Sequence, residues 1–397
     1  MTKPRLRFSN VEKVTILVLF AVGVVCGAPT VNAQCPPTTT LVAGLQGPTK
    51  LTQSPLGNLI VAETGPAVPN SGRVSIVGLD GTRRTLLAGL PSGENSNGDF
   101  AGTQGVVMHG RTLYILNGEG NATLPGPTPF PTEIPNPNPN SPILSSILAV
   151  HISAAAEQNT TGFTLTLADH EALKDGQTLR FSNGGGDKMT VRLLADFPDY
   201  VPDPIPPFPG NVDHSNPFGM VGLGNQLYVA DGGRNLVFQV DTETGAVSVL
   251  ATFAPIPNPL PFGPPVMEAV PAGINVYNGQ VLVALFRGFP FAPGTSDIVS
   301  VDPLTGTVSP FIDGLTSAID VEPVKHKGTT RILTLEISVD FLAGVPGRLQ
   351  RFETPSGPGV PISTCLIGPS DLVRDQKTGT LYIVSIFTGQ ILALAGQ

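Results

Sequence analysis

The chain has 397 residues, with 30 Asp and Glu against 22 Lys and Arg, a formal charge of −8. An acidic chain without a Lys/Arg cluster is not built to hold nucleic acid or an anionic membrane surface. Charged residues make up only 13% of it, Gly (46) and Pro (41) are abundant, and no long stretch has helical periodicity, which points to an all-β protein.

Residues 1–33 read as a secretory signal peptide. Lys3, Arg5, Arg7 and Lys13 form a positive head, Val14 to Ala28 an apolar run, and Val31-Asn32-Ala33 a small-residue cleavage site. The run is shorter than the roughly 20 residues a spanning helix needs. Export with cleavage after Ala33 is therefore expected, giving a periplasmic or extracellular protein without a membrane segment. Cleavage removes Cys26 and leaves Cys35 and Cys365 at opposite ends of the mature chain. An oxidising compartment permits one disulfide between them. Whether the ring puts them on the same face is open at this stage.

From residue 34 onward one unit repeats. A run of the form apolar-Tyr/Ile-Val/Ile-apolar-polar occurs at Leu59–Glu63, Leu113–Asn117, Leu227–Asp231, Val281–Leu285, Ile332–Glu336 and Leu381–Ser385. The copies lie about 50 residues apart, the spacing of a four-stranded propeller blade, apart from one double-length gap before Asp231. Each copy is the second strand, B, of a frame A–B–C–D, with tight D-x-x-T-G turns at Asp241–Gly245 and Asp302–Gly306. The sequence therefore predicts a six-bladed β-propeller over 34–397. The long gap holds no further B-type run, so it reads as a hairpin inserted into the second blade at about 157–188, with proline-rich loops at Pro125–Pro142, Pro198–Pro209 and Pro255–Pro265. The chain ends after a C strand, Gln390–Leu394. Thr39–Leu45 matches the D-strand run at Thr85–Leu90, so the N-terminal strand is expected to complete the last blade.

Several segments resemble the ScyD/ScyE family of secreted propellers: Ser215-Asn-Pro-Phe-Gly, Leu227-Tyr-Val-Ala-Asp-Gly-Gly-Arg-Asn, Gly288-Phe-Pro-Phe-Ala-Pro-Gly, Ser317-Ala-Ile-Asp-Val and Leu335-Glu-Ile. The resemblance spans roughly Gly44 to Leu394 and implies a propeller and export. It supplies no agreed activity. One departure is Leu285, where the family pattern leads one to expect Glu.

No H-E-x-x-H, P-loop, C-x-x-C or G-x-S-x-G motif occurs, and the five histidines share no ligand spacing. The absence of Trp counts against a quinone cofactor stacked on indole rings. The repeat offers more. Strand A is innermost, and the end of B lies beside the start of A. Glu63, Asn117, Asp231, Leu285, Glu336 and Ser385 are thus expected with Lys50, Gln104, Gly219, Gly273, Asp320 and Asp371 at one mouth of the central channel. Glu63, Asp231, Asp320, Glu336 and Asp371, with Asn117, are hard-oxygen candidates for Ca²⁺ or Mg²⁺. The competing reading has these acids accepting backbone N–H groups of the loops. Lys50, Gln104, His214, Asn216, Phe289 and Phe291 are the ligand-binding candidates, a polar centre with aromatic walls. Two functions follow. One is a non-catalytic, monomeric binding or scaffold propeller for a small molecule, a cation or an extracellular protein. The other is a metal-dependent hydrolase of the lactonase-propeller type, in which a channel cation polarises a carbonyl.

Overall fold

The computed structural model describes residues 35–127, 132–183, 186–326 and 328–395. The expected signal peptide lies outside them. Six antiparallel sheets stand around one axis, which makes the fold a six-bladed β-propeller. Blade 1 runs Pro48–Gln53, Leu59–Glu63, Gly72–Val77 and Arg83–Leu90. Blade 2 runs Thr103–His109, Thr112–Asn117, Ser146–Ile152 and Lys188–Asp196. Blade 3 runs Pro217–Leu223, Gln226–Asp231, Leu236–Asp241 and Val247–Thr252. Blade 4 runs Pro271–Tyr277, Gln280–Leu285, Ser296–Val301 and Val308–Leu315. Blade 5 runs Ala318–His326, Thr329–Glu336, Gly347–Phe352 and Val360–Leu366. Blade 6 runs Pro369–Arg374, Leu381–Ser385 and Gln390–Leu394, with Thr38–Val42 as its outer strand.

That last strand pairs antiparallel with Gln390–Leu394, Thr38 opposite Leu394, and the Leu45 N–H donates to Gly389 O at 3.0 Å. Cys35, just before it, is bonded to Cys365 in the outer strand of blade 5, with Cα atoms 5.5 Å apart. The disulfide staples the closing strand to the neighbouring blade.

Packing explains why B strands are apolar throughout instead of alternating. Blades stack face to face, so both faces of a B strand are covered. All five residues of Leu59–Glu63 and of Leu381–Ser385 are buried. Val42, Leu45, Leu59, Val61, Tyr382 and Val384 form the shared core across the closure. Each such side chain contributes roughly 1.5–3 kcal/mol.

The segment after Ile152 departs from the hairpin expected there. It contains two helices, Ala154–Asn159 and Leu167–Lys174, the second opened by a Thr166/Asp169 capping box. Between them Phe163–Thr164 pairs parallel to Leu87–Ala88, covering the outer edge of blade 1. Only its end, Leu179–Ser182 against Lys188–Asp196, is a hairpin. Buried Glu157 fixes the insertion to blades 1 and 2, accepting from Arg111 at 2.8 Å and from the Leu56 N–H at 3.3 Å. The proline-rich loops are closed by small ribbons, Thr123–Pro125 with Glu133–Pro135, Tyr200–Pro202 with Val212–His214, and Ile256–Pro257 with Val266–Met267.

Candidate binding site

In every blade the A–B pairing slips by one residue just inside the start of strand A, as between Thr103 and Gly105, Pro217 and Gly219, or Pro369 and Asp371. This repeated bulge sets the register of the channel. It also corrects one expected alignment. Gly105, opposite Leu116, is the equivalent of Gly219, Asp320 and Asp371; Gln104 is the bulged residue, in the position of Phe218 and Ser370. The ring through the blades is Lys50, Gly105, Gly219, Gly273, Asp320 and Asp371. Three glycines are there because the inner strands touch: a Cβ on Gly219 would lie 2.1 Å from Ala272 O, and one on Gly273 2.5 Å from the Asp320 Cα.

Below that ring is a channel cavity of about 190 Å³ whose lining includes Lys50, Asp320, Asp371, Asn275 and Glu322. The charges gather on one side. Lys50 Nζ lies 3.0 Å from Asp371 Oδ1 and 3.6 Å from Asp320 Oδ1, donates to Ser370 O at 3.2 Å, and sits 5.1 Å from the Phe218 ring centroid. The Leu51 N–H donates to Asp371 Oδ2 at 2.7 Å and the Leu372 N–H to Asp320 Oδ2 at 3.2 Å, so each acid also braces the following blade. Asn275 donates to Glu322.

Burial alone would lower the Lys50 pKa, but Asp320 and Asp371 outweigh it and hold the ammonium above its ordinary value. Burial pushes Asp371 up to about 8 against the pull of Lys50. These directions conflict for one ion pair. The geometry favours an ionised bridge, because both Asp371 oxygens accept hydrogen bonds. Glu322 is raised to about 8, by desolvation and then by the charges of Asp320 and Asp371.

The acids at the B-strand ends do something else. Glu63 is fully buried; Oε2 accepts from the Gln46 N–H and Arg73 at 2.7 Å each, and Arg83 donates at 3.0 Å. Glu336 accepts from the Thr316 N–H at 2.7 Å, Arg348 Nε at 2.5 Å and Gln350 at 2.9 Å. Asp231 accepts from Ser215 at 2.6 Å and from the N–H groups of Asn216, Gly233 and Arg234 at 2.8–3.1 Å. Each acid ties its own blade to the loop arriving from the previous one. Asn117 bonds only within its own blade, donating to Ser146 Oγ at 3.1 Å. Blade 4 has the buried Leu285, and there Asn235 Oδ1 takes over, accepting the Val270 N–H at 2.8 Å. Arg73, Arg83 and Arg348 lie one or two strands outward, beyond what the B and A positions alone could suggest.

The expected convergence of Glu63, Asp231, Asp320, Glu336 and Asp371 in one layer therefore does not occur. Asp320 and Asp371 meet around Lys50, while the other three are committed within their blades. Among the described residues no three His, Cys, Asp or Glu side chains are grouped so as to hold a metal ion. The donor set expected for Ca²⁺ or Mg²⁺ does not fit: an ammonium stands between the two channel acids.

His214 is buried between two carboxylates, Glu133 at 2.8 Å from Nδ1 and Glu119 at 3.1 Å from Nε2. Burial would lower its pKa, yet the two acids raise it to about 10. It is a structural imidazolium that pins the ribbon carrying Ser215 and Asn216. Neither acid was visible as its partner in the sequence, since both come from the loop region after Asn117. Phe289 and Phe291 also leave the site. They pack with Phe286 and Phe341, at centroid distances of 6.0 Å between Phe289 and Phe291 and 4.8 Å between Phe291 and Phe341.

The open recess lies at the mouth on the side of the B–C and D–A loops. It encloses about 350 Å³, with Thr49, Asp99, Phe100, Gln104, Asn216, Phe218, Phe387 and Thr388 in its wall. Gln104 and Asn216, 6% and 5% exposed, each leave the amide oxygen without a donor. Unpaired buried acceptors are costly and mark a place where a partner is missing. Of the expected ligand residues, Gln104 and Asn216 thus form the recess wall, Lys50 lies in the channel below, and His214 stands behind.

The fold and this recess define a propeller with a pocket at one channel mouth. No family model and no curated protein matches the chain. Among solved structures it is similar to the PQQ-bound form of an aldose sugar dehydrogenase from Streptomyces coelicolor, at 13% identity over 90% of this chain and 96% of that one, TM-score 0.48. It is also similar to an auxiliary nutrient binding protein from Bacteroides thetaiotaomicron, at 10% identity over 88% and 69%, TM-score 0.48. Likeness at that level carries no argument about activity.

Proposed function

We propose that the chain is a secreted, non-catalytic binding propeller of the ScyD/ScyE type, and that the recess at the channel mouth takes a small ligand. One observation carries this reading: the recess has aromatic walls and two buried carboxamides, Gln104 and Asn216, whose oxygens lack donors. Such a mixture of apolar surface and a few placed polar groups is the usual composition of a ligand pocket. The Cys35–Cys365 bond supports an oxidising compartment. The hydrolase reading has less support. It needs a cation held by carboxylates with an open position, and the acids meant for that role are bonded to Lys50, to arginines or to loop N–H groups.

The test is a fragment screen of mixed charge by thermal shift, repeated on Thr388→Trp. Thr388 is exposed and lines the recess, so an indole there fills it without disturbing the core. Fragments that raise the melting temperature of the wild type and not of the variant support the proposal. Fragments that bind both proteins equally, or turnover of lactone substrates on adding Ca²⁺, contradict it.

A further inference from the structure

The recess offers protons to a ligand and no charge. Its floor is built by the repeated bulge: Thr49 and Phe218 hold in blades 1 and 3 the position of Gln104 in blade 2, and all three line it. The Gln104 side chain lies across Gly118, where a Cβ would come 2.7 Å from the Gln104 Cγ, so a glycine is needed there to seat the amide. Asn216 is fixed through its backbone: its N–H donates to Asp231 Oδ1 at 2.8 Å and its carbonyl accepts from the Gly232 N–H at 3.0 Å. Both side chains are thus set before a ligand arrives. Their amide oxygens are buried out of a ligand's reach, while the NH₂ groups open on the recess and have no acceptor among the described residues. The threonine hydroxyls beside them have already placed their protons: Thr49 Oγ1 donates to Ala62 O and Thr103 O, Thr64 Oγ1 to Gly47 O, and Thr388 Oγ1 to Ser385 Oγ. The side-chain donors left for a ligand are therefore the two carboxamides, and a ligand that pairs with them must bring acceptors.

The wall does not answer an ionic ligand. No Lys, Arg or His lines the recess, and Asp99, the ionisable side chain there, is engaged within the fold. Lys50, in the channel below and 5.1 Å from the Phe218 ring centroid, is held by Asp371 and Asp320 at 3.0 and 3.6 Å. A carboxylate would leave water for a wall without a counter-charge, and an ammonium would bring protons to amides that already present protons. Phe100, Phe218 and Phe387 supply the apolar surface. A neutral carbonyl on an aromatic body meets all of these conditions, since its oxygen has lone pairs to give and no proton to place. We propose that the mouth recess selects an uncharged carbonyl compound with an aromatic body, the carbonyl oxygen toward the Gln104 and Asn216 amides and the ring against Phe387 and Phe100. This rests on the recess being the binding site.

Ligand-observed NMR titration of the full mature protein with probes of one shape tests it: acetophenone, α-methylstyrene, benzoate and 1-phenylethylammonium. The expected order is acetophenone first, α-methylstyrene about tenfold weaker because its methylene cannot accept a hydrogen bond, and the two ions without measurable binding. Gln104→Met and Asn216→Leu should each weaken acetophenone about fivefold and leave α-methylstyrene unchanged, so the second probe also reports that the recess of each variant is intact. Variants that weaken both probes alike overturn the pairing with the amides. Equal binding of α-methylstyrene to the wild type, or tighter binding of benzoate or the ammonium, overturns the carbonyl assignment while leaving the recess as a binding site. Absence of acetophenone binding overturns it too, even where other fragments are blocked by Thr388→Trp. If no fragment distinguishes the wild type from Thr388→Trp, the binding-site reading itself has failed.

Discussion

Replacing Glu322 by Gln probes the half-buried carboxyl of the channel most sharply. Glu322 faces Asp320 two residues away on its own strand, Asp371 from blade 6 and the Asn275 amide from blade 4, with Lys50 of blade 1 as the local cation. Its carboxyl is raised from 4.5 to about 8, by burial first and then by the two aspartates. Between those two values the folded chain keeps a proton that the unfolded chain has released. Stability from this group is therefore complete in acid and is lost as pH rises through about 8. The full gap corresponds to at most about 5 kcal/mol, and water entry and relaxation in the channel reduce this to about 2–3 kcal/mol. For a chain of this size that is about 3–5 °C in melting temperature. Wild type melted by calorimetry at pH 5.5, 7, 8 and 9 should lose that much across the series. Glu322→Gln, which cannot ionise, should lie closest to wild type at pH 5.5 and exceed it most at pH 9. A variant that falls in parallel with wild type would refute the assignment of the proton to Glu322.

Three further outcomes are expected. Cys35→Ser, which opens the bond closing almost the whole chain, should cost about 3–5 kcal/mol, seen as a lower urea midpoint that reduced wild type reproduces. Lys50→Met should cost about 3–5 kcal/mol because Asp371 and Asp320 stay buried without their cation, and Asp371→Leu in the same chain should recover part of it, since Asp320 alone then lacks its cation. Chelator and added Ca²⁺ or Mg²⁺ should leave melting unchanged, as the B-end acids are satisfied by Arg73, Arg83, Arg348 and loop N–H groups; a rise with Ca²⁺ that Asp371→Asn removes would restore the cation reading.

The propeller was legible because blade stacking leaves a trace in sequence. A B strand covered on both faces must be apolar from end to end, as in Leu59–Glu63, and six such runs declare the blades. The missing outer strand of blade 6 and the surplus one at the N-terminus were likewise a matter of counting. The site was less legible because it depends on a one-residue slip. The bulge before Gly105 turns Gln104 into the extra residue, and an alignment by strand starts cannot see it. Charges were misplaced for a related reason. Glu63 and Glu336 line up with Asp231 in the repeat, but the arginines that occupy them sit on strands C and D, where the repeat carries no fixed residue. His214 was singled out for its position, whereas its two carboxylate partners come from a loop with no repeat at all. The insertion hid its helices because each is short, Ala154–Asn159 and Leu167–Lys174, too brief for periodicity to register.

The most direct measurement is a crystal structure of the mature protein soaked with CaCl₂ and with the fragments that raise the melting temperature of the wild type but not of Thr388→Trp. The account predicts a fragment in the mouth recess against Gln104 or Asn216, with Lys50 still bridging Asp371 and Asp320. A calcium ion held by Asp320, Asp371 and Glu322 with Lys50 displaced, and an empty recess above it, would contradict it.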